Sequence, residues 1–127
     1  MSNENVAKAA DLGLDFYQKR ALNTAVFSNN DYPLMALAEE VGEVIGKIAK
    51  HCRKTGMDAD EAIHNIQYGA LPDLKEAVKK EMGDVLWQWA VLCHQLGLSA
   101  QEVALDNLAK LQDRQQRNVL DGEGDNR

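Results

Sequence analysis

The chain is poor in cysteine and in basic charge, and it lacks a long apolar run. Its 127 residues include 2 Cys. Cys52 and Cys93 are far apart and belong to no C-x-x-C pair, so we expect reduced core thiols in a cytoplasmic protein. Lys and Arg number 14 against 20 Asp and Glu, which excludes the electrostatic footprint of a protein that binds duplex nucleic acid or an anionic membrane. No segment approaches the ~20 apolar residues of a membrane span, and the first residues lack the features of a secretory signal.

Helical periodicity accounts for nearly the whole chain, and no segment predicts a strand. Residues 1–127 are expected to form one domain, and 118–127 a Gly-containing acidic tail that is disordered or docked as a loop. The fold class is therefore all-α, a bundle of four to five helices. The expected helices cover residues 4–22, 32–54 after a cap at Asp31, 58–66 after a cap at Asp58, 72–96 opened by Pro72, and 99–117 opened by the capping box Ser99-Ala-Gln-Glu102.

Two of the predicted helices carry acidic residues along the border of an apolar stripe. Glu40 and Glu43 lie side by side on the second helix, and Glu81 and Asp84 lie side by side on the fourth. Two helices packed through these stripes would bring four carboxylates together at their seam. The stripes consist of Leu34, Leu37, Val41, Val44, Ile45 and Ile48, and of Leu74, Val78, Met82, Val85, Trp89, Leu92 and Leu96.

Four carboxylates share a small volume only when a positive charge lies among them, because each like-charge contact disfavours ionisation. Hard oxygen ligands suit Mg²⁺ or Mn²⁺, which leave positions open for substrate phosphates. The competing interpretation is a solvated acidic face. Gly42 and Gly83 lie beside the acids, and a helical Gly costs about 1 kcal/mol relative to Ala. They indicate close backbone approach or room for a ligand, so the residues favour a divalent metal site.

Polar side chains on two helices are candidates for binding an anionic ligand. Lys47 extends the acidic row of the second helix, whereas Glu39 points almost directly away from that row. On the last helix Asn107, Lys110 and Arg114 recur at i, i+3 and i+7 and so share a face. Arg binds carboxylate or phosphate as a bidentate fork. The alternative for this face is an ordinary solvated helix surface.

The fourth helix has a second apolar flank opposite its main stripe. Trp87 and Val91 lie on this flank, beyond Asp84, so we expect either a partner subunit to cover it or a flat ligand to stack on it. Trp87 is a candidate for stacking on a base. A single chain of four to five such helices buries too little apolar surface to form a stable core. We therefore expect a homodimer or homotetramer to complete the core.

Several ordered segments resemble the MazG-like nucleoside triphosphate pyrophosphohydrolases over about residues 32–127. Gln88 is a departure, since many relatives have Tyr at that position. The matching segments are Glu39-Glu40-x-x-Glu43 with Glu81-x-x-Asp84, which looks like the family's E-E-x-x-E…E-x-x-D signature; Lys80–Trp87, similar to K-E-L-G-D-V-L-W; Asn107–Arg114, similar to N-x-x-K-L-x-x-R; and Arg114–Arg127, similar to the ending of some short members.

The resemblance implies an enzyme that hydrolyses (deoxy)nucleoside triphosphates between the α and β phosphates with Mg²⁺. It implies that Glu40, Glu43, Glu81 and Asp84 hold the metal, and one of them could take the proton from the attacking water. In such an enzyme Lys110 and Arg114 would hold the β and γ phosphates, Asn107 sugar or phosphate, and Lys47 a further phosphate. Two alternatives stay open: activity like that of phosphoribosyl-ATP pyrophosphohydrolase, and a helical oligomer that binds metal or nucleotide without turnover.

Overall fold

The computed structural model describes residues 12–126, and within this range every regular element is a helix. The all-α prediction is therefore confirmed. The part of the first expected helix that covers residues 4–11 lies outside the described residues, and residues 12 and 13, which were expected to be helical, are not, because Gly13 is extended at the N-cap position. None of the described helices combines the length and the apolar character that crossing a membrane requires. The helices are α1 Leu14–Leu22, α2 Asp31–Thr55, α3 Ala59–Gln67, α4 Pro72–Gln95 and α5 Ala100–Gln116.

Three helices begin at the residues that predicted them. The side chain of Asp58 accepts a hydrogen bond from the backbone N–H of Glu61 at 2.8 Å, which caps α3. Ser99 caps α5 in the same way, through the N–H of Glu102 at 3.1 Å. Pro72 is the first residue of α4, where its missing N–H leaves no helical hydrogen bond unmade. These caps are local features, so the sequence alone indicates them.

The sequence predicted the C-terminal end of α2 correctly but named the wrong residue as its N-cap. Asn30, not Asp31, occupies the N-cap position, and Asp31 is already helical. The N–H of Asp31 donates instead to Oδ1 of Asn29 at 3.1 Å, so a side chain two residues upstream does the capping. At the other end Gly56 has a φ of 74° and donates its N–H to the carbonyl of Cys52, a left-handed ending that glycine adopts without steric cost.

The core of the described chain is built from small side chains. Alanine lets helix backbones approach closely, but it removes little apolar surface from water, and burial stabilises by only ~25 cal/mol per Å². Many large apolar side chains are consequently left uncovered in the single chain. The buried apolar residues are Ala21, Ala36, Ala62, Ala90, Val91, Cys93 and Ala100.

One buried glutamine fixes α1 across α4 and the start of α5. The Nε2 of Gln18 donates to the carbonyls of Ala90 at 3.0 Å and Leu98 at 3.1 Å, and its Oε1 accepts from the N–H of Ala100 at 3.2 Å. A buried polar group left unpaired costs roughly 1–3 kcal/mol. These hydrogen bonds therefore hold α1 in one position on the bundle.

Helix α1 and the loop that follows it cover the second apolar flank of α4. Val91 is fully buried, and the indole Nε1 of Trp87 donates to Oγ1 of Thr24 at 2.8 Å. The prediction that a partner subunit or a flat ligand covers this flank is wrong for Val91. Periodicity within α4 shows that the flank is apolar, but it carries no information on where α1 packs.

Helices α2 and α4 form the most extensive helix contact of the described chain, and they do not meet through the centres of the predicted stripes. Pro33 and Ala36 of α2 and Gln88 of α4 are buried. In contrast, Ile45 and Met82, both members of the stripes, are 63% and 54% exposed. The prediction that the stripes form the seam is therefore wrong at these positions, and the acidic border lies nearer the contact.

Gly42 and Gly83, beside the acids, face open space, because a Cβ added at either would meet no atom within 4 Å. The expectation of close backbone approach at these glycines is therefore wrong, and the room for a ligand remains.

Candidate functional site

Three acidic side chains from α2 and α4 lie together at the contact between these helices. Glu40, Glu81 and Asp84 each place one carboxylate oxygen within 4.8 Å of the other two. Glu81 and Asp84 are i, i+3 neighbours on α4 and project side by side, and Glu40 reaches them from α2. Glu40 and Glu81 are half-buried, whereas Asp84 is exposed. The structure thus gathers three of the four acids expected here, and we call them the acidic cluster.

Burial and the neighbouring acids disfavour ionisation of Glu40. Burial raises the pKa of Glu40, and the negative charges of Asp84, Glu81, Glu39 and Glu43 raise it further. A cation beside these groups would reverse that effect, because an opposite charge favours the ionised carboxylate. The donors are all carboxylate oxygens, which suit a hard divalent ion such as Mg²⁺ or Mn²⁺. Both observations fit a divalent metal site.

Glu43 lies one turn beyond Glu40 on α2, outside the acidic cluster. Its side chain is exposed, but its charge contributes to the raised pKa of Glu40. Glu39 is also exposed and acts on Glu40 in the same way. The role of Glu43 as a metal ligand stays a prediction, and the exposure of Glu39 agrees with its predicted position away from the acidic row.

Lys47 places a positive charge against the acidic cluster. Its Nζ lies 3.3 Å from Oε1 of Glu81, with the lysine side chain 40% exposed and the glutamate side chain 18% exposed. The ammonium of Lys47 therefore offsets part of the negative charge of the acidic cluster, which a bound metal ion would otherwise offset. The sequence placed Lys47 on the correct border of α2, but as a phosphate ligand, and that role stays a prediction.

Tyr17 of α1 is a neighbour of the acidic cluster that the sequence did not indicate. Burial raises the pKa of its phenol, and the negative charge of Asp84 raises it further. Tyr17 therefore stays neutral and keeps an O–H that can donate a hydrogen bond. It lies within the first helix expected from the sequence, at residues 4–22. No local spacing could reveal its neighbour three helices later in the chain.

Trp87 and Gln88 follow Asp84 by about one helical turn. The indole ring of Trp87 is half-buried, and its N–H already donates to Thr24. Only the face of the ring is therefore left for a base, and stacking on a base stays a prediction. Gln88 is 3% exposed, and its Oε1 is buried with no hydrogen-bond partner in the described part of the chain. Such an orphaned acceptor costs roughly 1–3 kcal/mol. It lies at the position where the chain departs from the pattern of the family that it resembles.

The basic side chains of α5 contact the C-terminal tail rather than the acidic cluster. Oδ1 of Asp125 lies 3.2 Å from Nζ of Lys110 and 3.1 Å from Nη2 of Arg114. Asn107 is exposed on the same helix. Of the two alternatives for the tail, disorder or a docked loop, the structure has the docked loop. Phosphate or sugar binding by Asn107, Lys110 and Arg114 stays a prediction.

Two comparisons with known proteins match most of the chain. A family model described as the MazG nucleotide pyrophosphohydrolase domain matches residues 29–119. This range contains α2 to α5 and every candidate site residue named from the sequence, but not Tyr17 or Asp125. The chain is also similar to the Gene 37 protein of Mycobacterium phage L5, at 33% identity over 123 residues, which is 90% of this chain and 98% of the phage protein. No solved structure matches the chain.

Proposed function

Because this chain belongs to the MazG nucleotide pyrophosphohydrolase family, we propose that it hydrolyses (deoxy)nucleoside triphosphates at the α–β phosphate bond, with Mg²⁺ or Mn²⁺, to a nucleoside monophosphate and pyrophosphate. The observation that carries this proposal is the meeting of Glu40, Glu81 and Asp84 oxygens within 4.8 Å. Acids brought together from two helices, against their mutual repulsion, support a site built for a cation.

Phosphoryl transfer requires little covalent chemistry from the protein. It requires that the attacking water be aligned with the phosphate and that charge on the phosphate oxygens be neutralised. Three carboxylates alone repel a triphosphate, so the acidic cluster binds the substrate only through a cation. Glu40, Glu81 and Asp84 would hold a divalent ion, which when bound would supply neutralisation of charge on the phosphate oxygens. The chain's own contribution is to hold the carboxylates in place, through the contact between α2 and α4.

Glu43 is the acid best placed to accept a proton. It lies outside the acidic cluster and is exposed, so its oxygens remain available when the other three carboxylates hold the ion. A carboxylate in reach of the attacking water acts as a general base, which contributes about 10²–10⁴-fold in rate. In this proposal Glu43 removes the proton from the water, and Glu40, Glu81 and Asp84 bind the metal.

The remaining candidates complete the substrate site in this proposal. Lys47 binds a phosphate through its ammonium group, and Trp87 offers its ring face to the base. On α5 Lys110 and Arg114 bind the β and γ phosphates, and Asn107 binds sugar or phosphate. We place the activity in the cytoplasm, which the two free cysteines support.

The test is pyrophosphate release from a panel of nucleoside triphosphates, resolved by base and by sugar, with Mg²⁺ present. We expect release by the wild-type chain and a loss of about 10²-fold or more in both Glu81→Gln and Glu43→Gln. Glu76→Gln, an exposed acid on α4 that pairs only weakly with Lys79 at 3.9 Å, is the matched control and should keep wild-type activity.

Metal titration separates the two assigned roles. Glu81→Gln should lose affinity for Mn²⁺ together with activity, whereas Glu43→Gln should keep most of its affinity and lose only turnover. Wild-type activity in Glu81→Gln would refute the site. Metal binding without hydrolysis of any nucleotide in the panel would identify the chain as a binding protein instead.

A further inference from the structure

We propose that the C-terminal tail, residues 118–126, is an internal competitor for a polyphosphate-binding site formed by Lys110 and Arg114. In the described state the carboxylate of Asp125 occupies this site, so a polyphosphate must displace the tail to bind. The identity of the polyphosphate as part of a nucleotide rests on the proposed function. The competition itself does not, because it can be measured with inorganic pyrophosphate and without turnover.

Arg114 is built into the chain as an anion-binding group. Its side chain is only 5% exposed. Arginine is almost never buried unless it is paired with an anion or a hydrogen-bond acceptor. Its Nη2 donates to the carbonyl oxygens of Gly124 at 3.3 Å and Asp125 at 3.2 Å, and to Oδ1 of Asp125 at 3.1 Å. Lys110, one turn earlier, donates to the same Oδ1 at 3.2 Å. Two cations therefore meet at one carboxylate oxygen.

Asp125 satisfies this site only in part. The Nε of Arg114 is buried and has no hydrogen-bond partner among the described residues. Nε and Nη2 form one edge of the guanidinium, and that edge binds two oxygens of a carboxylate or phosphate at once. Asp125 reaches Nη2 but leaves Nε unpaired. A phosphate has enough oxygens to bond Nε, Nη2 and the ammonium of Lys110 together, so the site matches phosphate better than it matches its present occupant.

The tail returns to α5 through a defined backbone path. The N–H of Val119 donates to the carbonyl of Arg114, and the N–H of Asn118 donates to that of Gln115, the pair of bonds that defines a Schellman ending. Asn118 takes the required left-handed conformation with a φ of 56°. Gly124 has a φ of 77° and turns the chain again, directly before Asp125. These two turns direct the carboxylate onto the two cations.

The docked tail is held loosely enough to be displaced. Residues 120–126 are all exposed, and the side chain of Asp125 is 83% exposed. The ion pair with Lys110, whose side chain is 42% exposed, contributes little to stability because water and salt screen it. A pyrophosphate carries more negative charge than one carboxylate, and it can use the donor that Asp125 leaves unpaired.

The experiment is calorimetric titration of inorganic pyrophosphate into the full chain, with a chelator present so that no metal links the ligand to the acidic cluster. Asp125→Asn should bind pyrophosphate about three- to tenfold more tightly than wild type, because the competent fraction of the site rises when its internal occupant is weakened. Asp121→Asn is the matched control. It removes the same charge from an exposed position of the same tail, and it should change the affinity by less than about twofold.

Two further measurements locate the effect. Arg114→Gln should abolish pyrophosphate binding, and in ¹⁵N spectra of the wild type, pyrophosphate should shift the amide signals of Gly122 and Gly124 toward their positions in Asp125→Asn. Unchanged or weaker binding by Asp125→Asn, an equal effect of Asp121→Asn, or binding that survives in Arg114→Gln would each overturn the proposal. Failure of nucleotide hydrolysis would leave this result intact and would count against the proposed function alone.

Discussion

Lys47 and a metal ion would use the same carboxylate. The ammonium lies 3.3 Å from Oε1 of Glu81, a position where it stabilises the acidic cluster in the absence of metal. An incoming ion gains the carboxylate only by displacing or sharing it with the lysine. In the proposed site the same exchange would free Lys47 for a phosphate and would link metal binding to substrate binding.

The first prediction concerns this competition. Lys47→Met should tighten Mn²⁺ binding about two- to fivefold, the size expected for a partly exposed ion pair. Calorimetric titration of Mn²⁺ without nucleotide measures it. Lys50→Met, an exposed lysine on the same helix, is the control. If both variants bind Mn²⁺ equally, Lys47 does not compete for Glu81.

The pKa of Glu40 gives the second prediction. Because this pKa is raised above its ordinary 4.5, the folded chain binds the Glu40 proton more tightly than the unfolded chain does. The free energy of unfolding therefore falls as the pH rises from 4.5 through the raised pKa, and above that pKa the penalty is complete. Below this window Glu40 is protonated in both states and the penalty is absent.

We therefore expect Glu40→Gln, with a chelator present, to raise the Tm by about 1–3 °C near neutral pH, and to lose this gain at about pH 4. Thermal unfolding across this pH range measures it, with Glu76→Gln as a control that should show no gain. Added Mg²⁺ should stabilise the wild type more than Glu40→Gln, because binding to the folded state stabilises it. A wild type that is more stable than Glu40→Gln without metal would contradict this account.

At the scale of the elements, two segments cap α5 together. Ser99 accepts the N–H of Glu102 and donates its own hydroxyl to Oδ1 of Asp15 at 2.7 Å, and the same Oδ1 accepts the N–H of Gln101 at 3.0 Å. These bonds, the one from the Gln101 backbone first, lower the pKa of Asp15. A single hydroxyl thus connects the start of α5 to α1.

The third prediction is that Ser99→Ala lowers the free energy of unfolding by about 1–2 kcal/mol, the cost of a lost N-cap. Urea denaturation measures the loss. Ser28→Ala removes the same hydroxyl from an exposed position in the loop before α2 and should change stability by less than about 0.5 kcal/mol. Equal stability of the two variants would show that the cap contributes nothing.

The sequence predicted the features that depend on residues close together in the chain, and it missed those that depend on contacts between different helices. The beginnings of α3, α4 and α5 depend on Asp58, Pro72 and Ser99, which act within a few residues, and the sequence predicted all three. Which face each helix buries depends on other helices, so Ile45 was expected inside and is largely exposed. Tyr17 comes from another helix and could not have been found from local spacing.

The candidate site follows the same rule. The acid pairs were visible because helical spacing places Glu81 beside Asp84. Their meeting with Glu40 required only that α2 and α4 pack together. The capture of Arg114 by Asp125 was hidden, because it depends on the backbone turns at Asn118 and Gly124 rather than on a side-chain pattern.

At the scale of the whole molecule, a large apolar surface remains uncovered. Ile45 lines an open groove of about 490 Å³ between α2 and α3, formed mainly by apolar side chains. Leu105 and Leu108 of α5 are also exposed. Monomeric proteins seldom leave apolar patches beyond a few hundred Å² uncovered. A homodimer or homotetramer that buries these surfaces remains our prediction.

The fourth prediction tests that assembly. The chain should sediment as a dimer or tetramer at micromolar concentration, and Ile45→Glu should shift it toward monomer, because a buried unpaired charge is costly. Val26→Glu introduces the same charge at a side chain that is 94% exposed in the loop between α1 and α2, and it should leave the assembly intact. A monomeric wild type would refute the prediction.

The hydrogen bonds of the buried Gln18 side chain make the exchange of one backbone amide a measure of how often α1 separates from the rest of the bundle. The first N–H groups of a helix have no acceptor within it, so they usually exchange with deuterium quickly. The N–H of Ala100 is an exception, since it is buried and bonded to Oε1 of Gln18. Its deuteration requires α1 to leave α4, which also removes Tyr17 from Asp84. The exchange rate at this one position therefore measures how often α1, and Tyr17 with it, leaves the bundle.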